Sequence, residues 1–197
     1  MHHAPLRCRC GTVQGHVERP RAAARALCYC KDCQSFARFL GHPETTLDDA
    51  GGTHVVATRP QYVRFTAGVE RLACMSLSPK GLLRWYAACC RTAVGNTPRD
   101  PKFPYVGLVH ECLAADDAEL GATFGTTTVA VNTASATRAV RSTPLAALFG
   151  VLGIARGVLA ARIGGGWRDN PFFRPGTAQP IAAPEVLSLA QRQALRQ

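Results

Sequence analysis

The chain has 197 residues, 47% of them hydrophobic and 18% charged, with a formal net charge of +10. That length fits one domain with an appendage, and the apolar content is enough for a real core, which excludes wholesale disorder. Lys31, Lys80 and Lys102 are the lysines and arginine supplies the rest of the positive charge; no dense basic run appears, so the charge does not read as a nucleic-acid footprint.

The N-terminal residues, Met1 to Arg7, carry no apolar signal-peptide core, which sets the expectation of a cytoplasmic, reducing location. Nine cysteines in such a compartment point to metal or redox chemistry rather than disulfides. All nine precede residue 115, and from about 140 the composition turns to Ala, Leu, Gly and Arg. Two units are therefore expected, a domain over 1–120 and a helical extension over 140–197.

The first unit reads as short strands. Gly11 to Glu18 alternates until Arg19-Pro20, Thr53–Thr58 is β-branched between Gly51-Gly52 and Pro60, and Tyr62–Thr66 follows. Leu82–Tyr86 and Val106–His110 are further strands, and Gln34–Leu40 is a short helix. In the second unit, Pro144 opens a helix from Leu145 to about Ile163 that stops at Gly164-Gly165-Gly166. Its uninterrupted apolar run is eleven residues, short of the roughly twenty a membrane span needs. Packing against the β domain is its expected role, with a membrane surface as the other partner for helix 145–163. A last short helix is expected from Pro184 to Leu195.

The cysteines fall into clusters. Cys8-Arg9-Cys10 on an extended strand sets two sulfurs on one face, half of a tetrahedral site. Cys28-Tyr29-Cys30-Lys31-Asp32-Cys33 brings three sulfurs within six residues. Three protein ligands with an open fourth position is the pattern of catalytic zinc, four that of structural zinc. A thioredoxin-like dithiol at Cys30 and Cys33 would leave Cys28 without a role. Cys89-Cys90 completes the first site with one sulfur or with both. Cys74 and Cys112 read as core thiols, and His110 as a lone histidine. Arg25, Lys31, Arg38 and Arg91 are candidate anchors for an anionic substrate, and Asp32 is a turn residue, a candidate proton carrier or a partner that orients a zinc ligand.

These motifs, with Gln34-Ser35 after Cys33 and Thr92 after Cys90, resemble the glutathione-dependent formaldehyde-activating enzyme family, which includes centromere protein V. The similarity covers residues 5 to 115. It implies a mainly β, zinc-stapled, β-tent-like fold and two zinc ions. A structural zinc would sit at Cys8, Cys10 and a later pair, and a second at Cys28, Cys30 and Cys33, where a small thiol such as glutathione binds. The family's later motif is aromatic-Cys-x-x-Cys-Gly-Thr. Here Ala87 stands for the first of those cysteines and Arg91 for the glycine. Cys89 then substitutes for the missing ligand, or water or His110 completes a three-sulfur site. The resemblance implies a zinc-dependent carbon–sulfur lyase acting on thiol–aldehyde adducts. The alternative is a non-catalytic zinc module that binds a protein, nucleic acid or membrane surface.

Overall fold

A computed structural model describes residues 3–113, 116–141 and 143–196. Short runs of β-branched and aromatic residues, broken by Gly and Pro, build the strands. In chain order they are β1 (Ala4–Arg7), β2 (Gln14–Val17), β3 (Ala24–Cys28), β4 (Thr53–Thr58), β5 (Val63–Ala67), β6 (Leu72–Ser76), β7 (Leu83–Ala87), β8 (Thr92–Thr97), β9 (Val106–Val109), β10 (Thr128–Val131) and β11 (Pro184–Val186). The helices are α1 (Lys31–Leu40), α2 (Pro43–Thr46), α3 (Asp117–Phe124), α4 (Pro144–Ile163) and α5 (Leu189–Ala194).

The strands form a small sheet, β1-β2-β5, and an eight-stranded sheet ordered β10-β3-β4-β9-β8-β7-β6-β11. Neighbours are antiparallel except at the two edges, where β10 runs parallel to β3 and β11 parallel to β6. The fold is thus mainly β with a C-terminal helix, as the sequence predicts.

Register decides which side chains share a face. Cys28 lies opposite Thr53, Val55 opposite Val109, Gly107 opposite Asn96, and Asn96 opposite Arg84. These residues occupy the face that α1 covers, where Phe36 and Leu40 pack with Met75, Leu77, Tyr86, Ala93 and Val109. On the other face, Val56, Leu83, Trp85 and Leu108 meet Leu6, Val17 and Val63 of the small sheet and Val13 of the loop before β2. Trp85 is fully buried there and its indole N–H donates to Thr97 Oγ1 at 3.0 Å.

Two expectations change. The stretch from Pro184 does not open a helix: Pro184–Val186 pairs with β6, and the helix is confined to Leu189–Ala194 behind a Ser188/Gln191 capping box. A proline is acceptable there because β11 is an edge strand. The boundary drawn between 120 and 140 also does not separate two folding units. β10 and β11 complete the same sheet, and Phe172 and Phe173 enter the core beside Trp85, with the Phe172 ring 5.2 Å from the indole. Among the described residues, no helix is long and apolar enough to cross a membrane.

Candidate metal centres

The first cluster joins two distant segments. After β1 the chain folds back in a loop closed by Cys8 N–H to Val13 O at 3.0 Å and Gly11 N–H to Cys8 O at 2.9 Å. Gly11 takes φ 78°, a left-handed conformation that glycine reaches without strain. The other half is the turn between β7 and β8, closed by Arg91 N–H to Ala87 O at 2.7 Å with Arg91 itself at φ 56°. Arg9 ties the halves together: its backbone N–H donates to Thr92 Oγ1 at 3.0 Å and its guanidinium to Cys90 O at 2.7 Å.

The result is four sulfurs, of Cys8, Cys10, Cys89 and Cys90, all within 4.8 Å of one another. Cys10 and Cys89 are 3.3 Å apart, Cys8 and Cys10 3.5 Å, and Cys8 and Cys89 3.9 Å. A tetrahedral ion bonded to sulfur at about 2.3 Å requires sulfurs about 3.8 Å apart. The set therefore has the dimensions of a metal site. Both members of the Cys89-Cys90 pair join it, because the turn breaks the alternation that would point adjacent residues to opposite sides. Ala87 remains a buried strand residue. The Thr12 hydroxyl and backbone hold the Cys10 thiol down to about 6, whereas partial desolvation among the neighbouring sulfurs, and then hydrogen bonding with Cys10, pushes the exposed Cys89 up to about 12.

The second cluster is local. Cys28 ends β3, Cys30 caps α1, and Cys33 lies in the first turn of that helix. The Cys30 sulfur accepts the Cys33 backbone N–H at 3.4 Å, at a helix N-terminus that favours negative charge. The Cys28 and Cys33 sulfurs are 3.9 Å apart, and all three lie within 4.8 Å of one another. Hydrogen bonds from the Cys30 and Cys33 thiols hold Cys28 down to about 2, and the same bonds raise Cys33. Among the described residues no fourth Cys, His, Asp or Glu joins this group.

Two residues that the sequence did not single out touch the trio, and a third, Tyr105, feels its charge. Arg84 is buried on β7 and stands 3.9 Å from the Cys33 sulfur, over the Phe36 ring and 4.0 Å from Asp32. The Asn132 amide donates to the Cys28 sulfur at 3.4 Å, placed there because β10 runs beside β3. The Tyr105 phenol is pushed up to about 12 by burial and then by the charges of Cys28 and Cys33. The signal for Arg84 was an arginine inside the apolar run Leu82–Tyr86. Nothing local marked Asn132 or Tyr105.

The arginines expected to anchor substrate are mostly engaged elsewhere. Arg25 is buried on the sheet face opposite Cys28, paired with the Asp117 carboxylate and donating to Gly125 O. Arg38 donates to Leu195 O at 3.0 Å, and Arg91 donates to the Phe39 and Leu40 carbonyls. Lys31 is exposed at the first position of α1, beside the trio. Asp32 is held between Arg84 and Arg196, an arrangement for orienting rather than for carrying protons. Cys74 and Cys112 are core thiols: burial pushes Cys74 up to about 12, and Cys112 donates to the Val94 and Val109 carbonyls. His110 belongs to neither cluster; its ring packs 5.5 Å from that of His54.

Both clusters are thiol-only donor sets with spacings suited to a metal ion. Among curated proteins none matches the chain. One protein-family profile, described as a family of unknown function, DUF6151, matches residues 1–176, from before the first cysteine pair to beyond α4, and the chain belongs to that family.

Proposed function

We propose that the chain holds two zinc ions, a closed structural one at Cys8, Cys10, Cys89 and Cys90 and an open one at Cys28, Cys30 and Cys33, and that the open site is a carbon–sulfur lyase centre for thiol–aldehyde adducts. Thiol-only sets favour soft or borderline metals, among which redox-inert zinc suits a reducing compartment such as the cytoplasm. The carrying observation is the contrast in donor number: four sulfurs in one cluster, three in the other, with the buried Arg84 guanidinium and the exposed Asn132 amide beside the three. A zinc ion with one free position supplies a Lewis acid that lowers the pKa of a bound substrate thiol toward neutrality.

The chain's own residues provide the rest. Cys28, Cys30 and Cys33 converge on one point, and the Arg84 guanidinium offsets their negative charge. Asn132 orients the Cys28 sulfur. The Tyr105 phenol, within the field of the Cys28 and Cys33 sulfurs, would serve as a hydrogen-bond donor for an aldehyde oxygen. Lys31, and the basic charge of the chain as a whole, suit an acidic thiol such as glutathione, the substrate class implied by the resemblance to formaldehyde-activating enzymes. In the synthetic direction the thiolate sulfur attacks the carbonyl carbon, the C–S bond forms, and the carbonyl π pair moves to oxygen, which takes a proton from water. Lyase action is the reverse.

Exchange NMR of glutathione and formaldehyde at equilibrium with their adduct tests this reading. The zinc-loaded protein is expected to accelerate exchange, and Cys30→Ser to abolish the acceleration. Wild-type protein with both ions loaded and no effect on exchange would contradict it. The alternative, a zinc module that binds a surface without catalysis, is favoured by one observation, the exposed apolar face of α4.

A further inference from the structure

α4 is apolar apart from Arg156 and Arg162, yet only one side of it is covered. Val158 and Ala161 are buried, and Gly150, Ile154 and Gly157 face Ala24, Ala57 and Thr58 across a narrow cavity. On the opposite side Leu148, Leu152, Leu159 and Ile163 are 54%, 50%, 57% and 79% exposed. Their spacing puts them within an arc of about 60°. Phe149 and Val151, also exposed, widen the stripe. A soluble surface rarely leaves so continuous an apolar strip without a partner.

Charge decides between partners. From 141 to 168 the chain carries Arg141, Arg156, Arg162 and Arg168 and no acidic residue. Helical geometry places Arg162 on one side of the four central residues, before Val151, and Arg156 on the other, before Phe149. A second copy of the helix would set these arginines against each other with no carboxylate on either helix. Just past the helix, the Trp167 ring lies 4.7 Å from the Arg168 guanidinium and 5.9 Å from the Lys102 ammonium. Leucines edged by arginines and ending on a cation-flanked tryptophan match the boundary between acyl chains and anionic headgroups.

We propose that the outer face of α4 docks the protein on an anionic phospholipid bilayer, lying in the plane of the interface. The docking is independent of the cysteine chemistry. Leu148, Leu152, Leu159 and Ile163 enter the acyl region, Arg156 and Arg162 meet phosphates, and Trp167 sits at headgroup depth.

The test is flotation of the metal-loaded full chain with vesicles of phosphatidylcholine, with and without about a third phosphatidylglycerol. Binding is expected to the anionic vesicles, at least about tenfold weaker to the neutral ones, and weakened by salt. Leu152→Gln with Leu159→Gln, both on the exposed face, is expected to reduce binding by about tenfold or more. Arg156→Gln with Arg162→Gln is expected to erase the preference for anionic lipid. Trp85 is fully buried, so a fluorescence blue shift on binding would report Trp167. Wild-type protein that stays in solution with anionic vesicles overturns the proposal. So does a leucine variant that floats as wild type does. A dimer that dissociates in the leucine variant, with no flotation of the wild type, assigns the face to a second copy instead and also overturns it.

Discussion

The two cysteine clusters are built in opposite ways. Cys28, Cys30 and Cys33 come from one strand end and one helix start, within six residues, and any chain that forms β3 and α1 will bring them together. Cys8 and Cys10 meet Cys89 and Cys90 only after the loop behind β1 has docked on the turn between β7 and β8, some eighty residues away. The long-range set has four donors, two of them exposed, and is tied by Arg9 to Thr92 and Cys90. The local set has three donors with a buried guanidinium, an amide and a phenol around it. A closed set that joins distant segments stabilises the fold. On the proposed reading, the incomplete set on a helix terminus, with polar groups beside it, is the one open to substrate.

The sharpest way to break this contrast is to remove one donor from each set. Cys8→Ser opens the long-range site and is expected to cost at least about 4 kcal/mol, because metal binding there is folding free energy. Melting should fall by about 8–16 °C in a chain of this size. An unchanged melting temperature would deny the cluster its structural role. Cys30→Ser should cost far less, about 1–2 kcal/mol, since serine is itself a good helix N-cap and the trio closes no long loop. It should remove one metal ion per chain and leave the other, as read by metal analysis of the folded variant. If the two substitutions destabilise equally, the distinction fails.

Arg84→Met sharpens the comparison from the polar side. Loss of the charge beside Cys33 is expected to weaken metal binding at the trio by about 10–100-fold and to leave the four-cysteine site unchanged. Competition with a chelator reads both affinities in one titration, and an equal drop at both sites would contradict the assignment. His110 gives the smallest effect. Burial, reinforced by His54, holds its pKa below the ordinary histidine value of 6.5. As pH falls below 6.5 the unfolded chain takes up a proton before the native one does. The contribution of the neutral ring is intact above that value and is lost as pH falls through the folded pKa. Wild-type stability should therefore decline from pH 7 toward 6, and His110→Asn should flatten that part of the curve. A His110→Asn profile that declines as steeply as wild type would count against it.

What could be read from the sequence follows the same division between local and distant. The trio was legible because its spacing is its geometry. The β4 strand, Thr53–Thr58, was legible because β-branched residues stand between clear turn signals, and α4 because proline and glycine bracket an apolar run. The partner of Cys8 and Cys10 was half legible. Strand alternation separates adjacent side chains, and only the turn that ends with Arg91 at positive φ brings both Cys89 and Cys90 to the site. The β6 strand, Leu72–Ser76, holds no β-branched residue, and β11 begins with a proline that reads as a helix start until the free edge of β6 is there to pair with it. Arg84 illustrates a deeper limit. A charged residue in an apolar strand declares that it has a partner, but not which one, and its neighbours Cys33, Phe36 and Asp32 arrive from another element.

Native mass spectrometry of protein purified without chelator tests the central claim most directly. Two zinc ions per chain are expected, with one lost in Cys30→Ser while the fold persists. One ion or none in the wild type would contradict the assignment of a closed and an open zinc site.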